Sequence, residues 1–250
     1  MTDVILAAPA KLTLSLRVLG RRDDGYHLID AEMASVNLFD ELVLTPGPTD
    51  GCFDPVVQIE DRTDGSGLVV RGGIDDLVAK ALRLVGRSAD VVVSKSIPAG
   101  AGLGGGSSDA AAVLRWAGFD NVPSASQIGA DVAFCLVGGR ARVTGIGEVV
   151  ESLPFEDRTF TLLTPPVSCS TPAVYRRWDE MGGPTGDHGN DLEPAAVDLV
   201  PDLVRWRDEL GYATGRRPQL AGSGSTWFVE GSYPGDGRRV VRTVPSTTSS

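Results

Sequence analysis

A glycine-rich loop at residues 97–106 leads directly into an alanine-rich segment at residues 107–112. Five glycines in this loop remove the Cβ atoms from one turn, so that successive backbone N–H groups can converge on an anion. The next segment contains cap-type hydroxyls and good helix formers, and a helix beginning there directs its positive dipole end at the same anion. The pattern predicts a phosphate-binding site formed by Pro98, Gly100, Gly102, Leu103, Gly104, Gly105, Gly106, Ser107 and Ser108.

This loop differs from the two commonest nucleotide-binding motifs. A Walker loop ends in Gly-Lys-Ser or Gly-Lys-Thr, whereas Gly106 is followed by two serines and no lysine. A dinucleotide-binding loop follows the first strand of its domain, whereas this loop comes after roughly a hundred residues of other structure. A flexible linker is the alternative, although the Ile97-Pro98 entry and the alanine-rich exit argue against it. The positive charge that a phosphate requires must come from elsewhere in the chain.

The composition favours a folded enzyme that acts on a small molecule. The chain has 250 residues, 42% of them hydrophobic, which is enough for one large domain or two small ones. Its net charge of −10 argues against nucleic acid or an anionic membrane as a partner, because both bind clustered lysine and arginine. The sequence shows no basic and apolar leader and no run of about 18 apolar residues, so we expect a cytoplasmic protein.

The cysteines are Cys52, Cys135 and Cys169, an odd number at distant positions. This spacing fits neither a disulfide framework nor a zinc site. We expect reduced thiols that are mostly buried.

The hydrophobic pattern mixes strands with helices along the whole chain. The spacing predicts strands at residues 4–7, 12–18, 39–44, 91–93, 140–150, 160–163 and 227–230. It predicts helices at residues 75–85, 109–117, 127–136, 171–178 and 203–210. A turn is expected at residues 21–25, and a proline and charge cluster at residues 154–158 is the best domain boundary.

Five motifs, in this order along the chain, resemble the GHMP kinase superfamily. They are Pro9-Ala10-Lys11, Asp24-Gly25-Tyr26-His27, the glycine loop, Gly129-Ala130-Asp131-Val132 and Ala221-Gly222-Ser223-Gly224-Ser225. The resemblance implies an α+β fold with two domains: an N-terminal glycine-loop domain at residues 1–153 and a C-terminal ferredoxin-like domain at residues 154–244. Residues 245–250 would form an unstructured tail.

The resemblance also implies an activity. Members of the superfamily transfer the γ-phosphoryl group of ATP to a small alcohol, so ATP and Mg²⁺ are the implied cofactors. The motif at Asp24 to His27 resembles the branch that acts on a cytidine diphosphate-linked alcohol in isoprenoid biosynthesis. Ser108 is our candidate Mg²⁺ ligand, because a hydroxyl at the helix start can reach a metal between the β- and γ-phosphates. We expect a monomer or a homodimer.

Two charged residues match the catalytic motifs of the superfamily. Asp131 is the candidate base for the attacking hydroxyl, and Lys11 is its candidate partner, which would stabilise the developing alkoxide. The plainer interpretations are a helix cap for Asp131 and a solvated strand position for Lys11.

The implied substrate residues are Thr13, Tyr26, His27, Tyr175, Gly222 and Ser223. An aromatic ring and an imidazole at positions 26 and 27 can together recognise a flat heterocycle, here the cytosine. The alternatives are local packing for this pair, core packing for Tyr175 and an ordinary turn for the second glycine loop, residues 221–225. The segment at residues 190–193 resembles a family segment, and we expect it to be structural.

Departures from the family pattern leave two other functions open. Thr13 replaces an asparagine, Asp76 replaces another, and only 23 positions separate Ser108 from Asp131, which suggests a shortened connection at residues 118–128. The alternatives are a GHMP kinase for another alcohol, such as homoserine, mevalonate or a sugar, and a noncatalytic nucleotide-binding paralogue.

Overall fold

The computed structural model describes residues 2–47, 56–63, 68–73 and 76–246. Its first sheet has seven described strands, with the order β4-β3-β5-β2-β6-β7 and β1 paired to β2. Among the pairs of neighbouring strands described in this sheet, only β3 with β5 is parallel, and the others are antiparallel. The strands are β1 (Val4–Arg21), β2 (His27–Pro46), β3 (Val57–Asp61), β4 (Leu68–Arg71), β5 (Ala89–Lys95), β6 (Arg140–Gly145) and β7 (Val149–Leu153).

The hairpin of β1 and β2 is longer than its hydrophobic pattern predicts. β2 pairs with β1 from end to end, while β5 and β6 share its other edge. The pairing of β1 with β2 shifts register at three places, and such irregularities bend a long ribbon. The short strands predicted separately therefore merge, because a bulge interrupts the side-chain alternation without ending the strand.

Four helices pack with the first sheet: α1 (Leu77–Leu84), α2 (Gly105–Trp116), α3 (Val122–Ala125) and α4 (Val132–Val137). α2 lies between α1 and α4 and contacts β1. It begins four residues earlier than predicted, because Gly105 and Gly106 already have helical backbone. α4 begins later than predicted, after a turn in which Val132 N donates to Gly129 O over 2.9 Å.

The second sheet contains β8 (Thr159–Leu163), β9 (Gln219–Leu220), β10 (Trp227–Glu230) and β11 (Arg238–Arg242), in the antiparallel order β11-β8-β10-β9. The helices α5 (Thr171–Glu180), α6 (Glu193–Leu199) and α7 (Asp202–Thr214) connect β8 to β9. This order confirms the ferredoxin-like prediction. The connection at residues 231–237 lacks the second helix of that motif. The strands of the two sheets fall on either side of the predicted boundary at residue 154.

The two sheets share an apolar core, which fixes the space between them. A cluster of fully or almost fully buried side chains combines residues of the β1–β2 hairpin and the glycine loop with residues of the second sheet. At its centre the rings of Phe160 and Phe228 meet edge to face, with centroids 5.8 Å apart. Arg17 of β1 also pairs with buried Asp191, with 2.6 Å between Nη1 and Oδ1.

The thiols are as expected where the structure describes them. Cys135 and Cys169 are free and buried, and burial raises the pKa of both. Cys52 and most of the predicted tail lie outside the described residues. Within the described ranges, no helix is both long and apolar enough to cross a membrane.

Candidate active site between the two sheets

A cleft of about 1210 Å³ lies where the glycine loop, the tip of the β1–β2 hairpin and helix α5 meet. It is large enough for two ligands of nucleotide size. Thr13 and Ser108 are absent from its lining. The predicted residues that line it are Lys11, Tyr26, His27, Pro98, Gly100, Gly102, Leu103, Gly104, Gly105, Gly106, Ser107, Asp131, Tyr175, Gly222 and Ser223.

The glycine loop has a backbone that only glycine adopts easily. Gly100, Gly102 and Gly104 have φ values of +66°, +77° and +66°, all in the left-handed region. Gly104 is the N-cap of α2 and provides no side-chain cap. The first N–H groups of the helix have no partner within it, so they are available to an anion in the cleft. The sequence predicted that Ser107 and Ser108 cap the helix. Instead, both residues lie inside its first turn.

The second glycine loop is locked against the first. A Cβ atom at Gly102 would overlap the carbonyl oxygen of Ala221, so the two backbones approach more closely than any other residue type permits. Thr226 N donates to Ala101 O over 3.1 Å. Buried Asn190 fixes the loop from behind, because its Nδ2 donates to Gly222 O over 2.6 Å. The structural role expected for residues 190–193 is thus confirmed.

Lys11 and Asp131 form the ion pair that the motifs predict. Lys11 Nζ lies 3.1 Å from Asp131 Oδ2, and Thr13 Oγ1 accepts a hydrogen bond from the same ammonium over 3.0 Å. Lys11 is 5% exposed, so it is not a solvated strand residue. Asp131 is the N-cap residue of α4 but makes no capping hydrogen bond, so a capping role does not explain it. Thr13 itself does not line the cleft, but its hydroxyl contacts Lys11 and lies beside Gly222, where an added Cβ atom would be 3.5 Å from Thr13 Oγ1.

The side chain of Lys11 passes between the two glycine loops. A Cβ atom at Gly104 would lie 2.6 Å from Lys11 Cγ, and one at Gly222 would lie 3.5 Å from Lys11 Nζ. The ammonium group therefore lies where the two loops meet. It supplies a positive charge that the loop sequence itself lacks.

A second lysine beneath the loop was missed in the sequence. Lys95 Nζ donates to Asp109 Oδ2 over 2.6 Å and to Asp40 Oδ2, and a Cβ atom at Gly105 would lie 3.0 Å from it. Burial alone would lower the pKa of Lys95, but the two carboxylates outweigh it and raise this pKa. The available signal was a lysine at the end of an apolar strand, directly before the glycine loop.

Asp109 is the least satisfied member of this cluster. Its carboxylate is nearly inaccessible, and Oδ1 has no hydrogen-bond partner among the described residues. Burial raises the pKa of Asp109 to about 7, and the nearby Asp40 adds to this effect while Lys95 opposes it. An unpaired buried oxygen is costly, so Asp109 Oδ1 is a natural position for a cation or a bound water.

Ser108 does not occupy the position that a metal ligand requires. Its side chain is completely buried, and Oγ donates to Pro9 O over 2.6 Å. Because α2 begins at Gly105, the hydroxyl of its fourth residue faces strand β1 and not the cleft. The prediction that Ser108 binds Mg²⁺ is therefore wrong.

Aromatic residues gather at the other end of the cleft. The ring of His27 stacks on Tyr175, with centroids 4.7 Å apart and planes at 27°. Trp178 meets the same imidazole edge to face at 5.7 Å. Burial raises the pKa of the Tyr175 phenol. Tyr26 is 61% exposed and lines the cleft, so it is not packed locally at the hairpin.

Asp179 is the residue at this end that sequence reasoning missed. It lies one helical turn beyond Tyr175 on α5, so both side chains share a helix face. His27 Nε2 lies 2.8 Å from Asp179 Oδ1, and Arg21 Nη1 lies 3.4 Å from Oδ2. The spacing of Tyr175 and Asp179 was visible, but nothing in the sequence links α5 to the hairpin.

Apolar side chains of three elements outside the hairpin form part of the cleft lining, here called the apolar wall. Ile59, Val70 and Leu77 form it, and Leu77 opens α1. Asp76 caps this helix, because its carboxylate accepts from the N–H groups of Val78 and Ala79 over 2.9 and 3.2 Å. A carboxylate in place of asparagine at this position thus keeps a structural role.

Known proteins are similar to this chain in sequence and in fold. The sequence model of the protein family described as GHMP kinases N terminal domain matches residues 69–139. The 4-diphosphocytidyl-2-C-methyl-D-erythritol kinase of Paracoccus denitrificans (strain Pd 1222) is 36% identical, over 89% of this chain and 85% of its own length.

Solved structures give the same picture. A crystal structure of 4-(cytidine 5'-diphospho)-2C-methyl-D-erythritol kinase matches with a TM-score of 0.72 and 28% identity, over 96% of this chain and 98% of that chain. A homoserine kinase from Cytophaga hutchinsonii matches with a TM-score of 0.65 over 98% and 96% of the two chains. At 17% identity, that second likeness shows the fold alone.

Proposed function

The chain belongs to the 4-diphosphocytidyl-2-C-methyl-D-erythritol kinases of the GHMP kinase superfamily, and from this membership we propose the reaction that it catalyses. It transfers the γ-phosphoryl group of ATP to the 2-hydroxyl of 4-diphosphocytidyl-2-C-methyl-D-erythritol, a step of isoprenoid biosynthesis by the methylerythritol phosphate route. The observation that carries the proposal is a single cleft with the Lys11–Asp131 pair beside the glycine loop and the His27–Tyr175 stack at its far end.

Asp131 and Lys11 act on the attacking hydroxyl in two different ways. Asp131 Oδ2 accepts the proton of the hydroxyl as the oxygen attacks the γ-phosphorus. Lys11, at 3.1 Å from this oxygen, holds a positive charge beside both the carboxylate and the developing alkoxide. Thr13 Oγ1 fixes the direction of the Lys11 ammonium. The pair thus supplies a base and charge stabilisation from two different elements.

ATP lies along the glycine loop in this proposal. The free N–H groups at the start of α2 bind the phosphates, and the apolar wall of Ile59, Val70 and Leu77 suits a flat adenine. Lys11 and Lys95 provide the local positive charge in an acidic protein.

Mg²⁺ fits this site through Asp109. The Oδ1 of this buried carboxylate, which has no hydrogen-bond partner in the part of the chain that the structure describes, is a hard oxygen donor beside the loop, the type that Mg²⁺ prefers. When bound, the ion would neutralise charge on the β- and γ-phosphates. Lys95 holds the other carboxylate oxygen, so the orientation of Asp109 is fixed beforehand.

The cytidine half of the substrate occupies the aromatic end. His27 is held by Tyr175 and Asp179, and exposed Tyr26 can close over a base. Gly222 and Ser223 lie between the two ends, where the erythritol would pass. We also propose a cytoplasmic location, which the free thiols Cys135 and Cys169 support.

A coupled ADP-release assay over a panel of alcohols tests this function. We expect turnover with 4-diphosphocytidyl-2-C-methyl-D-erythritol and none with homoserine, mevalonate or simple sugars. Turnover with another alcohol alone would favour the second kinase hypothesis. ATP binding without turnover of any alcohol would instead identify a noncatalytic paralogue. Asp131→Asn is the control for contaminating kinases.

A further inference from the structure

The imidazole of His27 has two nitrogens in unequal surroundings. Nε2 lies 2.8 Å from Asp179 Oδ1. Nδ1 has no hydrogen-bond partner among the residues that the structure describes, and the ring lines the cleft. The His27 side chain is only 10% exposed, so its open nitrogen serves a ligand better than bulk water.

Asp179 determines which of these nitrogens carries the proton. An ionised carboxylate can only accept a hydrogen bond, so Nε2 must be the N–H that donates to it. In the neutral ring, Nδ1 is then an acceptor.

Asp179 is itself held in place from two sides. Helix α5 carries it one turn after Tyr175, the residue that stacks on His27. Its second oxygen lies 3.4 Å from Arg21 Nη1. Arg21 also donates from Nε to Gly25 O over 3.2 Å, within the turn that leads to His27. The carboxylate and the imidazole are therefore positioned as one unit.

We propose that Asp179 makes this cleft select cytosine over uracil, because it leaves Nδ1 of His27 as a hydrogen-bond acceptor. Cytosine presents an exocyclic amine, which donates to such an acceptor. Uracil presents a carbonyl oxygen at the same position, which would face Nδ1 lone pair to lone pair. Asp179 acts through His27 and is a positioning residue. The inference rests on the proposed function, since it assumes that the base lies at this end of the cleft.

Asp179→Asn tests the proposal with little change in volume. An asparagine can turn its amide and donate to Nε2, so the ring can then carry its proton on Nδ1 and accept uracil as well. Wild-type protein should bind CDP at least about tenfold more tightly than UDP in calorimetry, the effect of one hydrogen bond gained or opposed. In Asp179→Asn the two affinities should fall within about threefold of each other.

Asp198→Asn is the matched control. Asp198 of α6 pairs with Arg177 of α5, the helix that carries Asp179, over 2.6 Å, and it makes no hydrogen bond to His27 in the described part of the chain. This variant loses one carboxylate near α5 and should keep the wild-type ratio of CDP to UDP affinity. Nitrogen-15 NMR of the imidazole gives an independent readout: wild type should show protonated Nε2 and unprotonated Nδ1, whereas Asp179→Asn should show the other tautomer populated.

The possible outcomes distinguish a failure of the role proposed for Asp179 from a failure of the proposed function. If wild type binds neither CDP nor UDP, the cytidine end of the proposed function fails. If wild type prefers CDP and Asp179→Asn keeps that preference with an unchanged tautomer, the cytidine site stands and the role of Asp179 is wrong. Should Asp179→Asn not fold, the NMR measurement on wild type still decides, because an Nδ1-protonated ring would overturn the proposal.

Discussion

The two ends of the cleft are built by different means: the end at the glycine loop, which we propose as the phosphate end, and the end at the hairpin tip and α5, which we propose as the base end. At the phosphate end, backbone N–H groups of one short loop form the surface, and glycines at 100, 102 and 104 have left-handed φ values. At the base end, side chains of Tyr26, His27, Tyr175 and Asp179 form it, and they come from a hairpin and a helix more than a hundred positions apart. A backbone site depends on consecutive residues, whereas a side-chain site depends on how the chain folds back.

This difference predicts that a substitution at one end should leave ligand affinity at the other end unchanged. The phosphate end is locked by contacts between two loops, such as that from Thr226 to Ala101. The base end is locked by Arg21 and Asp179. No residue in either set belongs to the other, so substitutions should affect ATP and the cytidine nucleotide separately.

The largest effect is expected at the reacting centre. Asp131→Asn removes the base and its charge but little volume, so kcat should fall at least about a thousandfold, or about 4 kcal/mol in barrier. ATP and CDP affinities should both stay within about threefold of wild type. Steady-state kinetics and calorimetry measure these quantities. Retention of more than about a tenth of wild-type kcat would show that Asp131 is not the base.

Gly105→Val should break the phosphate end alone. A Cβ atom at Gly105 would lie 3.0 Å from Lys95 Nζ and 3.1 Å from Ile97 Cβ, so a branched side chain would collide with both residues and displace the loop. ATP affinity should fall roughly a hundredfold, or about 2.7 kcal/mol, while CDP affinity stays nearly constant. Circular dichroism serves as the folding control. Unchanged ATP affinity in the folded variant would mean that this loop is not the phosphate site.

The double change Tyr26→Ala and His27→Ala should break the base end alone. A lost stack and a lost hydrogen bond are each worth about 1–2 kcal/mol, so KM for the cytidine substrate should rise roughly thirty- to a thousandfold. KM for ATP should barely change. Equal losses for both substrates would contradict the separation of the two ends.

The smallest effect is expected for the Mg²⁺ dependence of ATP affinity at the phosphate end. Asp109→Asn should reduce the gain in ATP affinity that Mg²⁺ provides by about tenfold, while metal-free ATP affinity measured in EDTA is preserved. Ser108→Ala is the matched control, since its hydroxyl donates to Pro9 and lies outside the cleft. The assignment of Asp109 would be wrong if Mg²⁺ raised the ATP affinity of Asp109→Asn as much as that of wild type. It would also be wrong if Ser108→Ala lost this effect of Mg²⁺.

The sequence was most informative where chemistry depends on neighbouring residues. The glycine loop and the Lys11 and Asp131 motifs could be located in it, and these residues do line one cleft. Asp179 could not, because its role comes from a partner distant in the chain, namely its contact with His27. The error at Ser108 has a physical cause: a helix that begins at Gly105 turns this hydroxyl towards strand β1.

Lys11 and His27 belong to the two strands of one hairpin, whose pairing runs from Val4 and Leu44 to Arg21 and His27. The Lys11 ammonium and the His27 ring, the groups that we propose for catalysis and for base recognition, are thus attached to the same piece of sheet, and no linker between them can stretch or fold. Such a hairpin holds the two groups at a fixed distance from each other. We therefore expect the protein to select its substrate by length as well as by base, and to discriminate against an alcohol carried on a single phosphate.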